Sequence, residues 1–118
     1  MKVIEIVCRS EKQRSPTFRR VLNKLFKMYG DKGYRARSSG ILENDSRERK
    51  IRQLTPQDVD RAHKVVAVDD MVGEALQKRF SGLEAPKYIQ LSIPDVYERD
   101  SPALIQKVED FYLSDVWK

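Results

Sequence analysis

The residues best equipped for chemistry stand near the start of the chain. Cys8, the only cysteine, ends the apolar run Val3-Ile4-Glu5-Ile6-Val7, and Arg14-Ser15-Pro16 follows at what reads as a helix start. A strand, a Cys-x5-Arg-Ser loop and a helix in that order make a pocket for a phosphate dianion with a nucleophile beneath it. In such a loop the successive backbone N–H groups of Arg9, Ser10, Glu11, Lys12, Gln13 and Arg14 turn inward around the anion, and the helix behind adds the positive end of its dipole. The same field holds Cys8 as the thiolate, the form that attacks phosphorus. Arg14 can fork onto two phosphoryl oxygens, a contact that lysine cannot reproduce. A cation at a helix N-terminus is electrostatically disfavoured unless an anion answers it, so the position of Arg14 itself points to a site.

These residues need a scaffold, and the periodicity of the chain supplies one. Val3 to Val7 reads as a buried strand. Pro16 to Tyr29 carries Phe18, Val21, Leu22, Leu25 and Phe26 at helical spacing, with Ser15 as its N-cap, Pro16 in the first turn and Gly30 at its end. Tyr34 to Ser38 alternates as an edge strand, closed by a turn at Ser39-Gly40. Thr55-Pro56 opens a short helix, Val65-Val66-Ala67-Val68 is a central strand ended by Asp69-Asp70, and a helix follows through Phe80. Tyr88 to Leu91 is a fourth strand, Ile93 to Tyr97 a loop, and Ser101-Pro102 starts a last helix that reaches about Tyr112. Strands alternating with helices at this spacing argue for a parallel sheet covered on both faces. Ligands bind such sheets beyond the strand C-termini, where Cys8 and Asp95 both fall.

Length and composition narrow the classes. The 118 residues suit one domain over positions 1–118, and 40% apolar with 35% charged residues describe a soluble globular chain. No apolar run approaches a membrane span and no signal or transit segment opens the chain, so a cytoplasmic protein without membrane contact is expected. A single cysteine makes no internal disulfide, in keeping with a reducing compartment. His63, the sole histidine, lacks the clustered partners of a metal site, and neither metal nor cofactor is expected. The net charge of +5 favours anionic partners in general. The basic balance and the arginine-rich stretch raise nucleic-acid binding as an alternative, but the interleaved aromatics of such a protein are missing. Arg19, Arg20, Lys24 and Lys27 read as the solvated face of the first helix. Positions 41–53 interleave both signs of charge and read as a charged, mobile loop that overhangs the pocket rim.

Val7-Cys8, Arg14-Ser15-Pro16-Thr17, Ser38-Ser39-Gly40 and Ile93-Pro94-Asp95-Val96-Tyr97 together resemble the landmarks of the low-molecular-weight protein tyrosine phosphatases, in order and over nearly the whole chain. The resemblance implies a three-layer α/β sandwich with a four-stranded parallel sheet in order 2-1-3-4. It implies a metal-independent phosphomonoesterase acting on a phosphorylated protein or a small aryl phosphate through a phosphocysteine. Cys8 is then the nucleophile, Arg14 the phosphate fork and Ser15 a donor to the sulfur. Asp95 serves as general acid and then base, ahead of the rival carboxylates Asp69, Asp70 and Asp100, and Tyr97 is the candidate pocket wall. The loop departs from the family pattern: Ser10 stands where glycine is common, Glu11 where asparagine is usual, and Gln13 where many relatives carry a second cysteine. An inward Glu11 would repel a dianion. This motivates the alternative of a catalytically weak phosphate-binding module.

Overall fold

The computed structural model describes residues 1–9, 14–41, 52–80, 83–84, 86–94 and 97–118. Ser10 to Gln13, Asp95 and positions 42–51 of the charged stretch, all named above, lie outside the described residues.

Eight elements follow one another: β1 (Lys2–Cys8), α1 (Arg14–Met28), β2 (Tyr34–Gly40), α2 (Pro56–Arg61), β3 (Ala62–Ala67), α3 (Asp70–Arg79), β4 (Tyr88–Gln90) and α4 (Pro102–Leu113). The strands form one sheet in the order β2-β1-β3-β4, every pair parallel, as expected. From β1 to β2 the chain steps one way across the sheet, then returns over β1 to β3 and on to β4. Right-handed crossovers taken in opposite directions put their helices on opposite faces, which builds the three-layer sandwich. α1 packs beside α4.

Local chemistry explains the boundaries. Thr55 caps α2 with a full capping box, its hydroxyl accepting from Asp58 N while the Asp58 carboxylate accepts from Thr55 N. Asp69 caps α3 through Val72 N, and Ser101 caps α4 through Leu104 N with Pro102 in the first turn. Gly30 ends α1 at φ +76°, where a side chain would be strained, and Asp31 N closes back on Phe26 O at 2.8 Å. Two expectations shift. α1 begins at Arg14, so Ser15 lies inside the first turn and is not its N-cap, and its hydroxyl is directed elsewhere. Ser39-Gly40 continues β2 in register with Val7 and Cys8 instead of turning away, because β1 offers pairing partners to its very end.

The core is formed by Ile4, Ile6, Phe18, Leu22, Val65, Val66, Leu76 and Leu104, all fully buried. Trp117, close to the end of the sequence, is fully buried too. It packs on Phe26, Tyr34 and Tyr112 and donates its N–H to Tyr112 O at 2.8 Å. His63 keeps a structural part, 2.9 Å from Lys118 O, and no group of three metal-binding side chains exists among the described residues.

β2 is an edge strand whose outer rim is closed piece by piece. The Asn23 amide clasps Ala36 at both its N–H and its C=O, at 2.8 and 3.0 Å. Arg52 donates to Ser38 O at 3.1 Å, and the backbone of Arg52 to Leu54 pairs with Gly40. Such closure removes the template that a bare edge offers to another chain. The two ends of the charged 41–53 stretch are thus built into the fold through Ile41, Arg52 and Gln53.

Beneath the same rim lies a charged group within the sheet. Glu5 of β1 is fully buried opposite Arg37 of β2, and Arg52 reaches it at 3.0 Å. Arg37 and Arg52 share Asp58 Oδ1 at 2.5 and 2.6 Å. Burial pushes the Glu5 carboxyl above its ordinary range against the pull of Arg52 and Arg37. Burial also acts upward on Asp58, but hydrogen bonds from Thr55 and the two guanidiniums outweigh it and hold Asp58 low. A carboxyl with a raised native value binds its proton more tightly when folded. Its stabilising contribution is therefore complete below the ordinary glutamate value and is lost as pH rises through the raised one. Glu5→Gln is neutral at every pH, so the stability of the wild type relative to this variant should fall as pH rises from about 4 to neutrality. Urea midpoints across that range check this, and a pH-independent difference would show that Glu5 titrates alike in folded and unfolded chains.

Candidate active site

β1, β3 and the chain after β4 all end on one rim of the sheet, and each delivers a side chain or carbonyl there. Cys8 is the last residue of β1. Its backbone is pinned by Ile41 N, which donates to Cys8 O at 3.1 Å, and Val68 N donates to Val7 O at 3.1 Å just beneath. The Cys8 side chain is 3% exposed, and its Sγ lies 2.8 Å from the hydroxyl of Ser15 in the first turn of α1. That hydroxyl can donate to a thiolate or accept from a thiol, so the contact serves either form of the sulfur.

Arg14 directly precedes Ser15 and is also 3% exposed. Its Nη1 donates to Asp69 Oδ2 at 2.7 Å and to Ile93 O at 2.8 Å. Asp69 follows β3, and Ile93 is held against Val68 O through its own N–H at 2.8 Å. One buried guanidinium thus ties the start of α1 to the start of α3 and to the segment leading into Pro94. Its plane is set by two fixed acceptors rather than by solvent.

The rival carboxylates separate on their partners. Asp69 is engaged at both oxygens, Oδ2 by Arg14 and Oδ1 by Val72 N. Asp100, at φ 60°, accepts from Arg20 and Thr17, and those hydrogen bonds hold it below the usual aspartate range. Asp70 lies 3.5 Å from the Ser92 hydroxyl. Tyr97 is partly buried against the core, and Ser38 and Ser39 are buried at the end of β2 beside Cys8. Arg9 follows Cys8 with an exposed side chain, its carbonyl accepting from Ile41 N at 3.2 Å.

Cys8 and Ser15 are therefore in contact, and Arg14, next to Ser15 in the chain, reaches Asp69 and Ile93. The role of Asp69 as the anion that answers Arg14 went unseen in the sequence, where it figured only as a rival acid. The signal was available in part: a lone cation in a helix's first turn calls for a carboxylate, and Asp69 ends the neighbouring strand.

No protein-family model matches the chain, and no curated protein matches it by sequence. Solved structures do match over almost its full length. The low-molecular-weight phosphotyrosine phosphatase of Vibrio cholerae O395 is 18% identical with a TM-score of 0.74, covering 99% of this chain and 97% of the other. Wzb of Vibrio vulnificus, in complex with benzylphosphonate, is 21% identical with a TM-score of 0.72, covering 98% and 97%. The YwlE arginine phosphatase of Geobacillus stearothermophilus is 18% identical with a TM-score of 0.66, covering 98% and 88%. The chain has the fold of the low-molecular-weight protein tyrosine phosphatases.

Asp69→Ala removes both a helix cap and the carboxylate facing a buried guanidinium. Because Asp69 is 19% exposed, the pair is partly screened. The expected loss of stability is about 2 to 4 kcal/mol. Asp69→Asn retains the cap and should cost less, and urea denaturation of the two variants separates the contributions.

Proposed function

We propose that this protein is a cysteine-dependent phosphomonoesterase acting on phosphotyrosine or similar aryl phosphates. The observation that carries the reading is the contact of Cys8 Sγ with the Ser15 hydroxyl next to a buried, anchored Arg14, at the C-terminal rim of a parallel sheet. The likeness in fold to phosphatases, one of them holding a benzylphosphonate, supports it.

In the first step the Cys8 thiolate donates an electron pair to phosphorus and the ester P–O bond breaks, while Asp95 passes its proton to the departing phenolate oxygen. In the second, Asp95 takes a proton from water, the water oxygen attacks phosphorus, and the S–P bond breaks to release phosphate and regenerate the thiolate. The Arg14 guanidinium, oriented by Asp69 and Ile93, forks onto two equatorial oxygens of the transferring group. Those oxygens are bound more tightly as the transferring group spreads its charge, which lowers the barrier. The Ser15 hydroxyl donates to sulfur as the thiolate leaves phosphorus, making it a better leaving group in the second step. Tyr97 flanks the aryl group.

The purified protein should hydrolyse para-nitrophenyl phosphate without added metal, with orthovanadate as an inhibitor. Cys8→Ser should abolish turnover, Asp95→Asn should lower kcat by about 10²- to 10⁴-fold, and Ser15→Ala should slow breakdown of the phosphoenzyme so that it accumulates. Phosphotyrosine peptide and phosphoarginine, assayed side by side, decide the leaving-group class. Absence of turnover above the Cys8→Ser background between pH 5 and 7, with phosphate binding retained, would establish a phosphate-binding module in place of an enzyme.

A further inference from the structure

Away from Cys8, a cavity of about 530 Å³ opens against the outer edge of β2. Arg19 and Asn23 of α1 line it from one side; Arg35, Arg37 and Ser38 of β2 and Arg52 complete it. Among the described residues four arginines line this one volume, an arrangement the fold imposes for identifiable reasons. Arg37 is placed opposite Glu5 by the β1–β2 register, and Arg35 lies two residues earlier on the same strand. Arg52 is seated by the backbone pairing at Gly40, and Arg19 is carried in by α1, one turn before the Asn23 clasp on Ala36. Arg19, read from the sequence as part of a solvated face, is half-buried in this cavity wall.

Arg37 and Arg52 share the two acids of the group, Glu5 and Asp58, and among the described residues no carboxylate lines the cavity itself. Arg19 and Arg35 make no hydrogen bond or ion pair among the described residues. Arg37 Nε is buried with no hydrogen-bond partner among the described residues and lies 3.4 Å from Glu5 Oε1. Like charges confined together repel, and the repulsion is relieved by an anion that several guanidiniums can fork onto at once. The cavity is of the size that holds small ligands, its forked donors match phosphate geometry, and several cations together favour an anion of more than one charge.

We propose that this edge cavity is a second anion site, separate from the Cys8 pocket, that takes a phosphate-class oxyanion of two or more charges through Arg19, Arg35 and Arg37. The site stands whether or not Cys8 turns over substrate. The anion is either a free small phosphate or a further phosphoryl group on the molecule whose first phosphate occupies the Cys8 pocket.

Calorimetric titration with inorganic pyrophosphate tests the site. The double variant Arg19→Ala, Arg35→Ala removes two cations that have no partner among the described residues, so its thermal midpoint and para-nitrophenyl phosphate behaviour should match the wild type. Its pyrophosphate affinity should fall at least tenfold, and wild-type affinity should weaken with added salt. Amide chemical shifts of β2 around Arg35 to Ser38 should move on titration in the wild type and stay fixed in the double variant. A second arm compares singly and doubly phosphorylated peptides on Cys8→Ser protein. Tighter binding of the doubly phosphorylated peptide that vanishes when both arginines are also replaced assigns the anion to the substrate, whereas equal binding of the peptides alongside a pyrophosphate response assigns it to a free anion. Undiminished pyrophosphate affinity in the folded double variant, or shifts confined to residues around Cys8, overturns the proposal.

Discussion

A buried guanidinium in the first turn of a helix is the constraint on which the rim of this sheet is organised. The N-terminal end of α1 carries positive dipole charge, so Arg14 is there against the local field. It is nevertheless almost wholly removed from water. Leaving it unanswered would cost several kcal/mol in desolvation alone. Asp69 supplies the negative charge and Ile93 the second acceptor, and both come from chain segments that end beside β1 only because the sheet is parallel and ordered β2-β1-β3-β4. The same requirement thus links the start of α1, the α3 cap and the segment that leads into Pro94.

A second charged group does comparable work on the opposite side of β1. Glu5 occupies a strand position where an apolar residue would pack without cost, and its burial is tolerated because Arg37 and Arg52 stand over it with Asp58 behind. Replacing such a group by hydrocarbon is often neutral or favourable for stability, so its presence calls for another explanation. Its geometric effect is to draw Arg52 onto the end of β2 and to keep that edge closed next to Cys8. It also holds Arg37 and Arg52 together beside the edge cavity.

Much of the architecture was legible because its signals are local. The capping box at Thr55, the Asp69 and Ser101 caps, the glycine at position 30 and the apolar run at Val65 act over a few residues, and each element appeared where those signals put it. The errors were also local in kind. Ser15 has the composition of a cap, yet a neighbouring sulfur draws its hydroxyl inside the first turn. Ser39-Gly40 has the composition of a turn, yet pairing with Val7 and Cys8 extends the strand through it. In both places a tertiary partner outweighed a propensity worth about 1 kcal/mol or less.

From the chain alone came the residue types and spacing of Cys8, Arg14 and Ser15, and the alternation of strands and helices that must present them at one end of a sheet. These depend on contacts within a turn or a strand, which sequence order encodes directly. Only the folded chain could show that Arg14 is answered by Asp69 across 55 positions, that Glu5 is shared between Arg37 and Arg52, and that Arg19 and Arg35 converge on one cavity. Electrostatic partnership is decided by distance in space and by exclusion of water, and neither quantity exists until the sheet has brought remote segments together.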